Sequence, residues 1–345
     1  MTQQEAHNFN VWLKECLLAD TLELDERTTP KDIGYSNDTQ FFTAHYTKNG
    51  HAYSERLVQR LAPSGNTVFR DYDLERQYRC MEYVRRCSSL PVPRMLGQCF
   101  TTSRPFYVME FIEGVFPPDG YTAGEAYTTK GFLFEASEKQ RNAYFNNITR
   151  CIADLHRVPV DKEFQKYLGR PAEGKSSLEL EVEQLADLFH WGKAGQEAAA
   201  LLAPYVKWLC ENIHCVDDMS RLWGDARPDN TLVKEVNVVA MLDWELAKLG
   251  PGESDLFFFL ATHEHREKQM GANQLEGIPT EEELISLYEE ASGRTVRFPE
   301  YFRFLSYVKM GVYLMLGCKS SGVNFNQDIF ETFAETIRLE EMPRS

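Results

Sequence analysis

Three polar residues in the second half of the chain have the types and the spacing that phosphoryl transfer needs. Asp225 and Asn230 belong to the run WGDARPDN at 223–230, and Asp243 belongs to LDWE at 242–245. This chemistry needs one carboxylate that orients the attacking hydroxyl, and oxygen ligands that hold Mg²⁺ against a triphosphate. We therefore predict that Asp225 is the catalytic base and that Asn230 and Asp243 are the metal ligands.

The segment between Asn230 and Asp243 has to bring these two residues back together. Residues 231–233 and 238–242 have the apolar character of strands, and a polar turn separates them. A short β-hairpin of this kind returns Asp243 to the side of Asn230. The alternative is that Asp225, Asp229 and Asn230 only cap a turn, as Asp and Asn often do, but this leaves the agreement of spacing, residue types and hairpin unexplained.

The first part of the chain, up to about residue 110, alternates strand patterns with helical ones. Asn49-Gly50 is a hairpin signal between two of the strands. A short helix comes first and one main helix lies further on, and apolar spacing places the strands and helices at 9–17, 41–46, 56–60, 74–84 and 106–111. We therefore expect a small lobe that is rich in β-structure.

Beyond Gly114 helical patterns dominate. One helix is expected to end near His156, and Thr280 with Glu283 forms a capping box for another that stops at Gly293. The chain has no Gly/Ser-rich linker between its two parts, so we expect the two parts to pack against each other.

These motifs together resemble the aminoglycoside phosphotransferase family, whose usual pattern is HGDxxxxN followed by LDWE. The resemblance is strongest to the subgroup that occurs alone in bacteria or fused to acyl-CoA dehydrogenases. Further family-like segments lie at 34–39, 57–65, 91–93, 106–110, 155–156 and 277–279. The resemblance implies an α+β, protein-kinase-like bilobal fold, with a small β-rich N-lobe carrying one main helix at 1–110 and a larger, mainly helical C-lobe at 111–345.

The same resemblance assigns residues to a nucleotide site. Ser36 and Asn37 would lie in the loop that covers the phosphates, and Arg60 would take the place of the strand cation that contacts them. Glu110 and Ile112 would lie at the hinge between the lobes, where backbone groups bind adenine. The implied cofactors are ATP or GTP with Mg²⁺.

Two positions depart from the family pattern. Trp223 replaces the His that usually precedes Gly-Asp, and we expect its ring to pack under the loop. The second departure is the helical residue that should pair with Arg60. Glu75 lies about 115° from the apolar direction of its helix, whereas Gln77 lies within about 45° of it. We therefore predict Gln77 as the partner of Arg60, as alignment with the family also implies.

The implied activity is transfer of the γ-phosphate to a hydroxyl of a small molecule, such as a hydroxyacyl thioester, a lipophilic alcohol or an aminoglycoside-like acceptor. A nucleotide-binding pseudokinase that acts as a regulatory module is the alternative, because Gln77 and Trp223 depart from the family pattern. A protein kinase is less favoured, because the chain has no DFG or APE motif.

Composition excludes several other classes of protein. With 37 Lys+Arg against 52 Asp+Glu, the formal net charge is -15, which opposes binding to nucleic-acid phosphates and anionic lipids. No apolar run approaches the roughly 20 residues that span a bilayer, and the N-terminus lacks the pattern of a secretion signal. We expect a cytoplasmic protein with no nucleic-acid partner and no membrane span, and the sequence leaves a homodimer open. The eight cysteines have no CxxC spacing, which indicates reduced thiols.

Overall fold

The computed structural model describes most of the chain. The described residues are 3–29, 38–63, 65, 67–70, 72–118, 126–162, 165, 168, 174–216, 218–269 and 275–337. Ser36 and Asn37, which the resemblance places over the phosphates, lie outside the described residues. Their assignment stays a prediction.

The first lobe is built on a five-stranded antiparallel sheet with the strand order β1-β2-β3-β5-β4. The predicted hairpin is present and longer than the apolar pattern indicated, and Asn49 and Gly50 both have positive φ at its turn. The strands are β1 (Thr21–Leu24), β2 (Asp38–Lys48), β3 (His51–Leu61), β4 (Met95–Cys99) and β5 (Phe106–Glu110).

Two helices cover the two faces of this sheet, α1 (Gln3–Leu17) and α2 (Leu74–Cys87). Alternate residues of a strand point to opposite faces, so Leu57 of β3 is buried with α1, whereas Val58 is buried with α2. The sequence predicted a short helix at 9–17 and one main helix in this lobe, and both are present. The first helix, α1, is longer than predicted, and its apolar side closes one face of the sheet.

The second lobe is mainly helical. Its helices are α3 (Phe132–Glu135), α4 (Glu138–Arg157), α5 (Ser177–Gly192), α6 (Ala199–Glu211), α7 (Glu253–Gln269), α8 (Glu281–Ser292), α9 (Pro299–Ser320) and α10 (Gln327–Ile337). Its short strands are β6 (Ser220–Leu222), β7 (Thr231–Lys234), β8 (Asn237–Met241) and β9 (Lys248–Gly250). The capping box at Thr280 and the left-handed end at Gly293 are both as predicted.

Two antiparallel pairs inside the helical lobe frame the candidate site. Strand β6 pairs with β9, and β7 pairs with β8 in the predicted hairpin. Residues of β3 and β5, including Val58 and Met109, belong to the same buried apolar cluster as the helices of the second lobe. The two lobes therefore share one core. Among the described helices, none has the length and the apolar run that crossing a bilayer requires.

Candidate active site

A buried carboxylate accepts hydrogen bonds from the backbone of the loop that follows β6. Asp255, at the start of α7, accepts the backbone N–H of Trp223 at 2.6 Å and that of Gly224 at 2.9 Å. His156 of α4 lies 3.3 Å from the same carboxylate, and its other ring nitrogen lies 2.8 Å from the Tyr288 hydroxyl. Burial alone would raise the pKa of Asp255. The interactions with His156, followed by the positive charge of Lys309 and the Gly224 amide, outweigh burial and keep the pKa below its usual value. Asp255 is therefore held as a carboxylate.

Gly224 has a conformation that a residue with a side chain could not adopt here. Its φ is +88°, and an added Cβ would lie 2.0 Å from the carbonyl oxygen of Leu246. The preceding Trp223 is fully buried, and its indole N–H donates to the Leu242 carbonyl at 2.7 Å. Trp223 therefore packs under the loop, as the sequence predicted, and ties it to the chain just before Asp243.

Asp225 and Asn230 contact each other directly across this loop. The Asn230 side-chain nitrogen donates to Asp225 Oδ2 at 2.8 Å and to the Asp225 carbonyl at 2.9 Å. Arg227 Nε lies 3.1 Å from the same Oδ2. These contacts fix the orientation of the Asp225 carboxylate through one of its two oxygens. Neither of these two contacts to the carboxylate involves the other oxygen, Oδ1.

Asp243 returns to the same place through the β7–β8 hairpin. The N–H of Leu242 donates to the Asn230 carbonyl at 2.9 Å, which joins the end of the hairpin to its beginning. Asp243 itself has a φ of +57°, a left-handed conformation that is uncommon for residues other than glycine and that clusters at functional sites. Burial raises the pKa of Asp243, and the negative charge of Asp225 adds to this, while Arg60 and Arg227 oppose it.

The residues present fit a magnesium ion. Because the nitrogen of the Asn230 amide is directed at Asp225, its carbonyl oxygen remains for a cation. Asp243 Oδ1 is buried and makes no hydrogen bond within the described part of the chain. Amide and carboxylate oxygens are the ligands that Mg²⁺ takes in proteins, and two of them leave the rest of its octahedral shell to nucleotide and water.

Arg60 extends from β3 towards this carboxylate. Its Nη2 lies 3.8 Å from Asp243 Oδ1, and its Nη1 donates to the Thr39 hydroxyl on the neighbouring strand at 3.1 Å. Burial acts to lower the pKa of Arg60, but Tyr107, Asp243 and other neighbours outweigh this and raise it. Arg60 therefore stays charged beside Asp243, one of the candidate metal ligands.

The comparison with known families decides the class of this chain. The sequence profile of the APH phosphotransferase enzyme family matches residues 29–284. The chain belongs to this family. The resemblance that the motifs indicated is thereby confirmed.

A human relative matches most of the length of this phosphotransferase chain. Human acyl-CoA dehydrogenase family member 11 is 30% identical over 313 residues, which cover 82% of this chain and 37% of the human protein. The chain thus spans a little over a third of the length of this curated relative. The match to a dehydrogenase-named protein agrees with the subgroup that the motifs indicated.

Solved structures show the same fold at lower identity. A candidate aminoglycoside phosphotransferase from Ralstonia eutropha has a TM-score of 0.68 and 22% identity, covering 97% of this chain and 96% of that one. An aminoglycoside phosphotransferase solved with ADP has a TM-score of 0.53 and 12% identity, covering 98% of both chains. At these identities the likeness concerns the fold alone, and it confirms the predicted α+β, kinase-like architecture.

Gln77 and Glu75 of the phosphotransferase lie on different sides of α2. Gln77 is buried and accepts a hydrogen bond from the Tyr107 hydroxyl at 3.3 Å, whereas Glu75 pairs with Arg79 on the surface at 3.4 Å. Tyr107 is in turn one of the groups that raise the pKa of Arg60. The structure thus places Gln77 in the cluster around Arg60, with Tyr107 between them, and direct pairing of Gln77 with Arg60 stays a prediction.

Glu110 and Ile112 lie at and just beyond the end of β5. The Glu110 N–H donates to the Arg94 carbonyl at 2.9 Å, and the Phe111 N–H donates to the Arg56 carbonyl at 3.1 Å. Those two amides are used within the sheet, so an adenine contact at Glu110 would have to come from its carbonyl. The assignment of Glu110 and Ile112 to the hinge stays a prediction.

Sequence reasoning missed two cations beside Asp225. Arg227 occupies an unspecified position inside the WGDARPDN motif, where its contacts to Asp225 and Asp229 give it a place in the site. Lys309 lies far away in sequence, on α9, and its ammonium donates to the Gly224 carbonyl at 2.7 Å. The only sequence signal for Lys309 is its isolation in a long apolar helix.

Proposed function

We propose that this chain transfers the γ-phosphate of Mg-bound ATP to a hydroxyl of a small molecule. The observation that carries the proposal is the arrangement around Asp225. One of its oxygens is held by Asn230 and Arg227, and the neighbouring Asp243 keeps a buried oxygen without a hydrogen bond in the described part of the chain. A base, an amide and a second carboxylate in this arrangement are the groups that phosphoryl transfer uses.

In this proposal Asp225 orients the acceptor hydroxyl and takes up its proton. The hydroxyl oxygen forms a bond to the γ-phosphorus while the bond from that phosphorus to the β,γ-bridging oxygen breaks, so that ADP leaves. Asn230 and Asp243 would hold Mg²⁺, which, when bound, neutralises charge on the triphosphate. Their fixed positions avoid reorganisation during the reaction.

Arg60 supplies the positive charge on the small-lobe side of the cleft. A guanidinium can bind phosphate oxygens through two parallel N–H donors, which a lysine cannot do. Its Nη2 is already close to Asp243, so a triphosphate that reaches the metal ligands also reaches Arg60. Ser36, Asn37 and the hinge residues Glu110 and Ile112 complete the nucleotide site in this proposal.

The surface beside the hairpin bears on the acceptor. Val115 bridges to Val233 of β7, and both Val115 and the next residue, Phe116, are about half exposed, at 51% and 53%. This apolar surface next to the hairpin supports a lipophilic acceptor such as a hydroxyacyl thioester.

A nucleotide-binding regulatory module is the second candidate. It is favoured by the neutral Gln77 in the cluster around Arg60, where an ion pair would hold the arginine more firmly. Turnover separates the two candidates, because a regulatory module binds ATP without consuming it.

The proposed function is tested by a panel of hydroxyacyl thioesters, simple alcohols and aminoglycosides, incubated with ATP and Mg²⁺. Mass spectrometry should show one acceptor gaining a single phosphate. Asp225→Asn should reduce this turnover about 10²- to 10⁴-fold and leave ATP affinity nearly unchanged, because a general base acts in the transition state. The control is Asp154→Asn, which alters an exposed carboxylate on α4 that pairs only with Arg157 among its described ion-pair contacts.

Two results would contradict the proposal. The first is full activity in Asp225→Asn, since the assigned base would then be dispensable. The second is tight ATP binding with no phosphorylated product from any acceptor in the panel or from a metabolite extract, which would favour the regulatory module.

A further inference from the structure

Lys309 is a charged residue in the core of the helical lobe. Only 3% of its surface is exposed, and its ammonium lies 4.2 Å from the centre of the Phe258 ring on α7. Its hydrogen bond to the Gly224 carbonyl, at 2.7 Å, is directed at the residue that immediately precedes Asp225. The lysine therefore connects α9 to the backbone of the catalytic loop.

Burying an ammonium in this place is costly. Burial is the largest influence on Lys309 and lowers its pKa to about 8. The positive charge of Lys248 acts in the same direction. The carboxylates that face it, Glu181, Asp255 and Asp225, act in the opposite direction. Glu181 forms an ion pair with Lys248 at 2.8 Å. Lys309 donates its hydrogen bond to the loop backbone instead, at the Gly224 carbonyl. A simple apolar side chain would fill the same core without this cost.

Gly224 is held at both of its backbone polar groups. Its N–H donates to Asp255 at 2.9 Å, and its carbonyl accepts from Lys309 at 2.7 Å. The Gly224 carbonyl belongs to the peptide that joins Gly224 to Asp225. A rotation of this peptide would change the direction in which the chain enters Asp225, and glycine, here at a φ of +88°, restricts such a rotation less than other residues do. The carboxylate of Asp255 and the ammonium of Lys309 thus fix the backbone that precedes Asp225.

We propose that Lys309 is a positioning residue for Asp225, acting through the Gly224 carbonyl. The proposal rests on the proposed function, in which Asp225 orients the acceptor hydroxyl. Lys309 is buried and bonded to the loop backbone, so the proposal gives it no contact with nucleotide or acceptor. Its loss should therefore lower kcat and leave the KM for ATP nearly unchanged, whereas a loss of the nucleotide site would raise that KM.

The chain offers a matched control on the same helix. Lys319 also donates to a backbone carbonyl, that of Trp191 at 3.0 Å, and also lies over an aromatic ring, at 4.8 Å from the Trp191 centroid. Lys319→Met removes the same kind of contact away from the catalytic loop. Lys309→Met keeps the apolar stem and removes only the charged donor.

The experiment measures kcat and KM for ATP in both variants, with the best acceptor of the wild type or, failing one, slow hydrolysis of ATP by water. Lys309→Met should lose about tenfold or more in kcat, because small misplacements of a reacting group have large effects on rate, and its KM for ATP should stay within about twofold. Lys319→Met should keep both constants. A folded Lys309→Met with the kcat of the wild type would overturn the proposal.

Hydrogen exchange of the peptide that contains residues 223–230 gives a readout that does not depend on activity. Lys309→Met should exchange these amides faster than the wild type and Lys319→Met. A wild type without any transfer, combined with this faster exchange, would reject the proposed function while showing that Lys309 orders the loop. Equal exchange in all three proteins would reject the role of Lys309 itself.

The wild type provides a test that holds even where Lys309→Met does not fold. Lys309 is protonated below its pKa of about 8 and loses its charge as the pH rises through that value, and a charged donor makes a hydrogen bond roughly twice as strong as a neutral one. The kcat of the wild type should therefore fall as the pH rises through about 8, and Lys319→Met should show the same fall. A kcat that stays level from about pH 7 to 9.5 would overturn the proposal.

Discussion

The two parts of the candidate site, the base side around Asp225 and the nucleotide side around Arg60 and Asp243, differ in how completely the protein satisfies their polar groups. On the base side, Gly224 has both backbone groups bonded, to Asp255 and to Lys309. On the nucleotide side, Arg60 Nε and Gln77 Nε2 of the small lobe and Asp243 Oδ1 of the large lobe are buried, and none of the three makes a hydrogen bond within the described part of the chain. The backbone before the proposed base is therefore fully bonded, whereas the groups proposed to bind the triphosphate and its metal are not.

This difference separates two physical tasks. A general base has to keep one orientation, and the loop that carries the proposed base Asp225 is held by charged contacts within the protein itself. Groups that bind a phosphate and its cation gain most when ligand atoms complete their bonding, because a buried polar atom without a partner is costly. We infer that the base side is preorganised by the protein and that the nucleotide side is completed by nucleotide and metal.

The largest expected effect lies on the nucleotide side, at Asp243. Asp243→Ala removes the charged metal ligand and should reduce transfer by at least about 10³-fold while also weakening Mg-dependent ATP binding. Asn230→Ala should be milder, because a neutral carbonyl stabilises the cation less than a carboxylate does. Initial rates and ATP titration with and without Mg²⁺ measure both effects. Equal losses in the two variants would contradict the greater weight given to Asp243.

On the base side the expected effect is on stability as well as rate. Asp255→Asn removes a charge that accepts two loop N–H groups and should lower the free energy of unfolding by about 3 kcal/mol. The pKa of Asp255 is held below its usual value, so its stabilisation is present above the usual Asp range and is lost as the pH falls below it. Denaturant unfolding should therefore show a weaker acid dependence in Asp255→Asn than in the wild type. Unchanged stability at neutral pH would show that this side is not fixed through Asp255.

The sequence predicted which candidate site residues meet better than it predicted the contacts that support them. Asp225 and Asn230 were predicted to lie together because their spacing is local, and Asp243 because a hairpin links it to them, and the structure brings the three together. The Asn49-Gly50 turn and the capping box at Thr280 were found for the same reason. Features that depend on a few neighbouring residues leave a pattern in the sequence.

The supporting contacts leave no such pattern, because they join distant segments. His156, in the family-like segment 155–156, reaches Asp255 from another helix, and no local pattern shows that contact. Lys309 reaches Gly224 from near the end of the chain, and neither a local pattern nor the family resemblance indicated it. Strand β1 was also missed, since it is only four residues long and pairs only with β2 at the edge of the sheet. Tertiary packing determines these elements, so local propensity could not have predicted them.

The smallest expected effect lies on α2. Gln77→Glu should keep or raise activity, because a carboxylate in the cluster around Arg60 can form the ion pair that a neutral amide cannot. Glu75→Ala is the matched comparison and should change activity little, since Glu75 pairs with Arg79 at the surface. Steady-state kinetics on the two variants measure both. Loss of activity in a folded Glu75→Ala would reverse the assignment of Gln77 as the residue that supports Arg60.

Isothermal calorimetry tests the division between the two sides most directly. The wild type and Asp243→Ala are each titrated with Mg²⁺ alone, with ATP alone and with Mg-ATP. We expect no tight Mg²⁺ binding without nucleotide, because Asn230 and Asp243 provide only two of the six ligands that Mg²⁺ takes. We also expect ATP binding that Mg²⁺ strengthens in the wild type but not in Asp243→Ala. Tight binding of Mg²⁺ to the free wild type, or ATP binding indifferent to Mg²⁺ in the wild type, would contradict a nucleotide side that is completed only by its ligands.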